Sequence, residues 1–137
     1  MKVLSIDYGQ KNIGLAISDE REIIAKAIDG LKVSNLNQAV TKIYNIILEK
    51  QINKVLIGIP SAQTQMKKEI EKFYNKLKNK TQKADYKLDL EFINEDFTSK
   101  IAEKGTSKKF KKEKSHSEVA RMLLQSYLDE KYYKSIL

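Results

Sequence analysis

Three residues that lie far apart in the chain have side chains suited to metal-assisted chemistry, and Asp7 is the first of them. It ends an apolar segment at the N-terminus and is followed by Gly9 and Gly14. Ligand sites in α/β proteins lie at the carboxyl ends of strands, so a carboxylate here is well placed to bind a cation. Gly9 would let a phosphate or an ion approach the backbone closely. A plain Asp-Gly turn is the alternative, but a carboxylate that ends a buried strand is costly to leave unpaired.

Glu95 and His116 are the second and third candidates. Glu95 follows an apolar segment at 88–94, and its neighbour Asp96 should point to the opposite face of a strand, so at most one of the two meets Asp7. His116 is the only histidine and falls in the first turn of the last predicted helix. The positive end of a helix disfavours imidazolium, and a neutral imidazole can bind a metal. A solvent-facing acid and a packed histidine are the corresponding structural interpretations.

Two carboxylates from separate strands and one ligand from a helix start would suit a hard divalent cation. Mg²⁺ and Mn²⁺ prefer such oxygen-rich sites. In phosphodiester hydrolysis these ions activate water and stabilise the leaving oxygen. The sequence contains no cysteine nucleophile and no motif that supports a Ser-His-Asp arrangement. We therefore expect catalysis by Asp7, Glu95 and His116 with Mg²⁺ or Mn²⁺ as the cofactor.

The pattern of apolar residues predicts the elements that must position these side chains. Strands are expected at 2–7, 13–18 and 23–33, and their short connections favour an antiparallel meander. A helix capped at Ser34-Asn35, a buried strand at 54–59, a helix at 63–80 and a strand at 88–94 follow. A short helix at 98–104 and a last helix from Ser115, with a Ser115–Glu118 capping box, end the chain.

This element order predicts an α/β fold with a five-stranded mixed sheet and helices on both faces. It is the order of the RNase H-like fold. No linker or repeat divides the chain, so we expect a single domain over residues 1–137.

The charge of the chain indicates a nucleic-acid partner. The net charge is +8 and the pI is about 9.5, which is typical of nucleic-acid-binding domains. A lysine-rich solvated surface from an AT-rich genome is the alternative. Within a basic segment at 105–114, lysines surround one aromatic residue that could stack on a base. The candidate contacts are Lys11, Lys108, Lys109, Phe110, Lys111 and Lys112.

The composition also restricts the compartment. The absence of cysteine excludes disulfides and cysteine-held metal centres and fits a reducing environment. No apolar run approaches the roughly 20 residues of a membrane span, and the N-terminus does not resemble a signal peptide. We expect a cytoplasmic protein.

Four segments together resemble the YqgF (RuvX) family. They are Asp7 to Asp19, Gly58-Ile59-Pro60, Glu95 to Ser99, and Leu124 to Asp129. The resemblance spans nearly the whole chain and implies the RNase H-like fold, a similarity to RuvC-type Holliday junction resolvases, and a nuclease that processes the 5′ end of the 16S ribosomal RNA precursor. It also implies that Asp7 and Glu95 are the family's first two catalytic carboxylates.

The chain departs from the family's pattern at three places. His116 stands where the family usually has an Asp, which removes a negative charge but leaves a group that can still bind Mn²⁺. Asp96 stands where an Arg is frequent, and Ser61-Ala62-Gln63 stand where an Asn- and Gly-bearing loop is usual. These last two departures concern substrate contacts more than the fold.

Four functional hypotheses follow. The first is a metal-dependent nuclease in ribosome biogenesis whose partner is structured nucleic acid, namely pre-16S rRNA or the small-subunit precursor. The second is a non-cleaving RNA-binding module, which the His116 departure would explain. The third is a DNA endonuclease that resolves four-way junctions. The fourth is a sugar kinase or actin-like ATPase, which also begins Asp-x-Gly, but such folds close two domains around ATP and 137 residues are expected to supply one.

Overall fold

The computed structural model describes residues 1–96 and 115–136. The strands are β1 (Val3–Asp7), β2 (Asn12–Ser18), β3 (Ala25–Lys32), β4 (Lys54–Ile59) and β5 (Asp89–Asn94). The helices of these two ranges are α1 (Leu36–Glu49), α2 (Gln65–Lys83) and α3 (His116–Ile136). The predicted order of elements is confirmed within these ranges, and the short helix predicted at 98–104 lies outside the described residues.

The strands form one mixed sheet in the order β3-β2-β1-β4-β5. β1, β2 and β3 are the predicted antiparallel meander, in which Asp7 lies opposite Gly14. β4 is parallel to β1, and β5 is parallel to β4. The carboxyl ends of β1, β4 and β5 therefore meet at one edge of the sheet, which is where Asp7 ends β1 and Glu95 follows β5.

Each face of the sheet is covered by helix, as the sequence predicts. On one face α1 and α2 bury Leu4, Ile6, Ile57 and Phe73 in the larger apolar core. On the other face α3 packs on Val3, Ala16 and Leu56 through the side chains of Ala120, Leu124 and Leu128. Alternation along β1 places Val3, Ser5 and Asp7 on the α3 face. The helix that carries His116 thus lies on the same side of the sheet as the carboxylate of Asp7.

Side-chain hydrogen bonds move two element boundaries from their predicted places. Asp19 Oδ1 accepts from the backbone N–H of Ile23 at 2.7 Å and of Ile24 at 3.1 Å, so these residues belong to a turn and β3 begins only at Ala25. The side chain of Thr64 caps α2 by accepting from the N–H of Lys67, and the helix begins at Gln65. Both shifts result from hydrogen bonds between a side chain and the nearby backbone, which the periodicity of apolar residues does not indicate.

Gln125 ties α3 to the start of β3. Its Oε1 accepts from the N–H of Ala25 at 2.8 Å, and its Nε2 donates to the carbonyl of Ile23 at 2.9 Å. In the segment from Leu124 to Leu128, Leu124 and Leu128 pack in the core and Gln125 binds the backbone at the start of β3. In residues 1–96 and 115–136 no helix is both long and apolar enough to cross a bilayer.

Candidate active site

Asp7 is held at the centre of the sheet edge with little access to solvent. β1 is flanked by β2 and β4, and Asp7 is only 6% exposed. Burial raises the pKa of the Asp7 carboxyl above its ordinary value, while the hydrogen bond and the charge of His116 act in the opposite direction. A buried carboxylate with a raised pKa is an unfavourable group unless a cation or a proton compensates it.

The start of α3 brings His116 into contact with Asp7. The imidazole Nδ1 lies 2.6 Å from Asp7 Oδ2, and with Asp7 ionised this nitrogen donates to the carboxylate. The helix approaches so closely because Gly14 has no side chain: a Cβ built there would lie 2.0 Å from the backbone carbonyl carbon of His116. Ser115 Oγ accepts from the N–H of Glu118 at 3.2 Å and fixes the first turn.

Ser117 completes the docking of this helix terminus. β2 and β3 are out of regular register between Ile13 and Leu15, and such an irregularity leaves a strand N–H without its ladder partner. Ser117 Oγ accepts from the N–H of Leu15 at 3.1 Å. The irregularity therefore anchors the residue next to His116 and sets the imidazole beside the end of β1.

Glu95 reaches the same face from β5. Its backbone N–H donates to the carbonyl of Ile59 at 3.0 Å, which extends the parallel ladder by one residue. Its Oε2 lies 3.6 Å from where a Cβ of Gly58 would stand, so the carboxylate crosses β4 towards β1. Burial raises the pKa of Glu95, repulsion from Asp7 and then Asp96 raises it further, and His116 lowers it. Glu95, Asp7 and His116 thus interact electrostatically.

The donor set fits a divalent cation that is only partly enclosed by protein. Within the described ranges, no three His, Cys, Asp or Glu side chains converge closely enough to hold one ion. Two carboxylates nonetheless repel each other at this edge, and a bound cation would relieve that repulsion. Mg²⁺ in particular is bound through one or two carboxylates, with water and substrate phosphates as its remaining ligands. Asp7 and Glu95 match this pattern better than a closed three-residue cage.

Ser61 and Asp96, at which the sequence is expected to depart from the family pattern, meet in space. Ser61, after β4, donates a hydrogen bond from its Oγ to Asp96 Oδ2. Asp96 N–H in turn donates to Asn94 Oδ1 at 2.8 Å. The side chain of Asp96 is therefore bonded to the loop after β4. The expectation that only one of the two adjacent acids faces Asp7 agrees with this geometry.

Lys11 lies in the turn between β1 and β2 and lines a groove of about 400 Å³ together with Lys72 and Glu69. Gln10 Nε2 donates to Glu69 Oε1 at 3.2 Å across this groove. Lys72 of α2 therefore shares a groove with Lys11, which lies far from it in the sequence, and the spacing of residues along the chain does not indicate this proximity. The predicted contacts Lys108, Lys109, Phe110, Lys111 and Lys112 lie outside the described residues.

Comparison with solved structures identifies the fold. The chain superposes on the Thermus thermophilus RuvC bound to a Holliday junction substrate with a TM-score of 0.64, at 11% identity and 96% coverage of both chains. It superposes on the fowlpox virus Holliday junction resolvase with a TM-score of 0.57, at 13% identity, covering 95% of this chain and 99% of the resolvase. The predicted RNase H-like fold is confirmed.

Comparison of sequences gives the family. Residues 1–130 match the RuvX family, described as Holliday junction resolvase, and the chain belongs to it. A Flavobacterium psychrophilum relative is 34% identical over 95% of this chain and 98% of its own. A relative from Sulfurihydrogenibium sp. is 33% identical over 93% and 90%. Both bear the name "Putative pre-16S rRNA nuclease". The predicted resemblance is confirmed, and the protein is a nuclease, a hydrolase of phosphodiester bonds.

Proposed function

We propose that this nuclease is metal-dependent and trims the 5′ end of the 16S ribosomal RNA precursor during ribosome biogenesis in the cytoplasm. The observation that carries the proposal is the pairing of buried Asp7 with His116 at 2.6 Å, within electrostatic reach of Glu95. The names of the relatives support the substrate, and the net charge of +8 supports a nucleic-acid partner. The cysteine-free composition supports the compartment.

Asp7 and Glu95 would hold the cation in this site. A bound Mg²⁺ or Mn²⁺ supplies Lewis-acid stabilisation of the phosphate charge and a lowered pKa for the attacking water. Both carboxylates must be ionised for this role, and both have raised pKa values. We therefore expect activity to fall on the acidic side as these two groups become protonated.

His116 has a different role from the one a carboxylate would have at its position. Asp7 Oδ2 occupies Nδ1, so in the neutral ring Nδ1 carries the proton and Nε2 is the accepting nitrogen. The half-exposed ring can take a proton from water at Nε2 and return it to the leaving oxygen. We assign His116 a role in proton transfer rather than in metal binding. Asp7 would orient the imidazole ring and also bind the cation.

Cleavage of 5′-labelled precursor RNA by the purified protein tests the proposal. With Mg²⁺ or Mn²⁺ we expect discrete products that disappear with chelator and in Asp7→Asn and Glu95→Gln. Thr81→Ser, distant from the edge, is the matched control for preparation quality. Cleavage that persists in Asp7→Asn would refute the proposal.

A second candidate, resolution of four-way DNA junctions, is favoured by the description of the family. The same preparation is therefore given a four-way DNA junction and precursor RNA side by side. Faster turnover of the junction would replace the RNA assignment. If neither substrate is cleaved but RNA is bound without metal, the protein is a binding module, as the replacement of a family carboxylate by His116 would explain.

A further inference from the structure

The structure contains an aromatic cavity that the catalytic site does not use. Tyr74 of α2 and Phe92 of edge strand β5 stack with ring centroids 4.5 Å apart and planes inclined by 29°. Phe92 is 36% exposed although it is a large apolar residue. The two rings line a cavity of about 470 Å³ that is completed by Ile59 and Pro60 at the end of β4.

The position of the cavity relates it to the catalytic edge. Asn94 lines the cavity and directly precedes Glu95. Successive strand residues point to opposite faces, so the cavity lies on the α2 face while Glu95 points to the α3 face. Ser61 also lines it and is bonded to Asp96. A nucleotide chain that leaves the catalytic carboxylates around this edge of the sheet would reach the cavity.

The polar groups around the aromatic pair suit a nucleobase. The amide of Asn75 offers a donor and an acceptor, and Glu71 adds an acceptor. Asn94 offers its amide donor, because its Oδ1 already accepts from the N–H of Asp96. Paired amide groups and carboxylates are the side chains that read the hydrogen-bonding edges of bases. Lys67 supplies a positive charge at the wall for the attached phosphate. A mainly apolar cavity of this size with few polar groups is typical of a small-ligand site.

We infer that this cavity is a base-binding subsite, in which one unstacked base of the RNA strand packs on Phe92 beside the catalytic edge. The inference rests on the proposed function and adds a specific nucleotide position to it. Bases of single-stranded RNA are commonly held by stacking on aromatic side chains. The occupant is thus a single-stranded nucleotide next to the scissile bond, and a fully paired duplex would leave the cavity without a ligand.

Binding of a labelled single-stranded RNA octamer in chelator tests the inference without any cleavage. Phe92→Ala should weaken binding by roughly 5- to 150-fold, the range for loss of one stacked base, whereas Phe92→Trp should bind like the wild type. Tyr132→Ala removes an aromatic residue that is 55% exposed on α3 and is the matched control, which should bind normally. A folded Phe92→Ala protein that binds like the wild type would overturn the inference.

Abasic substitution identifies the stacked nucleotide. Removing the base at one position of the octamer should weaken binding to the wild type and have little further effect on Phe92→Ala. Losses that are equal in both proteins at every position would contradict a base contact at Phe92. Phe92→Ala should leave the salt dependence unchanged, whereas Lys67→Ala should reduce it, because only the lysine neutralises a phosphate. If RNA is cleaved but this binding pattern is absent, the subsite is refuted and the proposed nuclease reaction is not. If the pattern is present but RNA is not cleaved, the proposed reaction is refuted and the subsite is not.

Discussion

At the scale of single residues, the site contains two carboxylates whose negative charges repel each other. The imidazole of His116 lies close enough to stabilise the ionised form of both. Asp7 and Glu95 both have pKa values raised first by burial, and His116 lowers both. Without a cation, this arrangement costs folding free energy. A divalent cation bound by the two carboxylates, as proposed above, would offset this cost.

The first prediction concerns the pH dependence of stability. The folded-state pKa of Asp7 is raised above its ordinary value of 3.8, so the favourable contribution of protonated Asp7 is present below that value. It is lost as the pH rises through the folded pKa. Asp7→Asn should keep the acceptor for His116, increase the free energy of unfolding at pH 7 in chelator, and reduce its decline between pH 4 and 7. Urea denaturation at both pH values measures this.

Two comparisons make that measurement specific. Glu95→Gln should act in the same direction, whereas Asp19→Asn should not, because backbone hydrogen bonds from Ile24 and Ile23 lower the pKa of Asp19. Addition of Mn²⁺ should stabilise the wild type more than Asp7→Asn. If Asp7→Asn is less stable than the wild type at pH 7 in chelator, the ionised Asp7 does not destabilise the folded state and the prediction is wrong.

The second prediction concerns the residue that differs from the family. His116→Asp adds a third carboxylate to the pair and should raise the affinity for Mn²⁺ by about tenfold or more, because affinity for hard cations increases with ligand charge. The same variant should be less stable in chelator. Calorimetric titration with Mn²⁺ measures the affinity, and His116→Asn, neutral at the same position, should show no gain. Equal affinities in all three proteins would place this residue away from the cation.

At the scale of elements, the site depends on how closely α3 meets β2. The bare backbone of Gly14 and the hydroxyl of Ser117 bring the start of α3 against the sheet. The other end of the contact is fixed by Gln125, which binds the backbone before and at the start of β3. The helix is thereby clamped at two points along its length.

The third prediction tests the closer of these points. Gly14→Ala would put a Cβ within 2.1 Å of both the carbonyl carbon and the carbonyl oxygen of His116, so the helix start must move. We expect a loss of about 1–3 kcal/mol in the free energy of unfolding together with weaker Mn²⁺ binding, measured by urea denaturation and calorimetry. Gln125→Ala should lower stability by a similar amount, roughly 1–3 kcal/mol for the stranded N–H of Ala25, with metal binding unchanged. Unchanged stability in Gly14→Ala would contradict the close contact.

At the scale of the whole molecule, an aromatic cavity and a groove that contains two lysines both lie near the edge of the sheet where β1, β4 and β5 end. The groove holds Lys11 and Lys72, and the cavity holds Phe92. The net charge of +8 favours an anionic polymer over the whole surface. Substrate orientation would then come from the few groups at this edge rather than from the overall charge.

The fourth prediction separates the groove from the general charge. Lys11→Ala with Lys72→Ala should weaken RNA binding and reduce the slope of log K against log salt by about 1.4–1.8, since two phosphates lose their partners at roughly 0.7–0.9 each. Lys83→Ala, exposed at the far end of α2, is the matched control and should change the slope less than either single variant. Fluorescence anisotropy of labelled RNA across a series of salt concentrations measures the slope for each protein. Equal slopes for wild type and double variant would exclude the groove from the RNA path.

The amino-acid sequence predicts most of the fold because periodicity is a local property. The apolar segment at 55–59 indicates a central strand, and the alternation of Leu4, Ser5 and Ile6 indicates the two faces of β1. The predicted ends of elements are less accurate where a hydrogen bond from one side chain sets the boundary, as the side chain of Asp19 does before β3. Asp7 and His116 were predicted as candidates from their places at a strand end and a helix start, and they prove to be in contact.

Sequence alone determined the element order, the acid at the end of β1 and the basic character of the chain, because residue type and spacing along the chain carry this information. Only the tertiary structure decided that His116 bonds Asp7, that Ser61 bonds Asp96 and that Tyr74 stacks on Phe92. Each of these pairs joins residues from different elements. Their contact depends on how the helices, the strands and the residues that follow the strands pack against one another to within a few ångströms, and close packing of the whole core sets those distances.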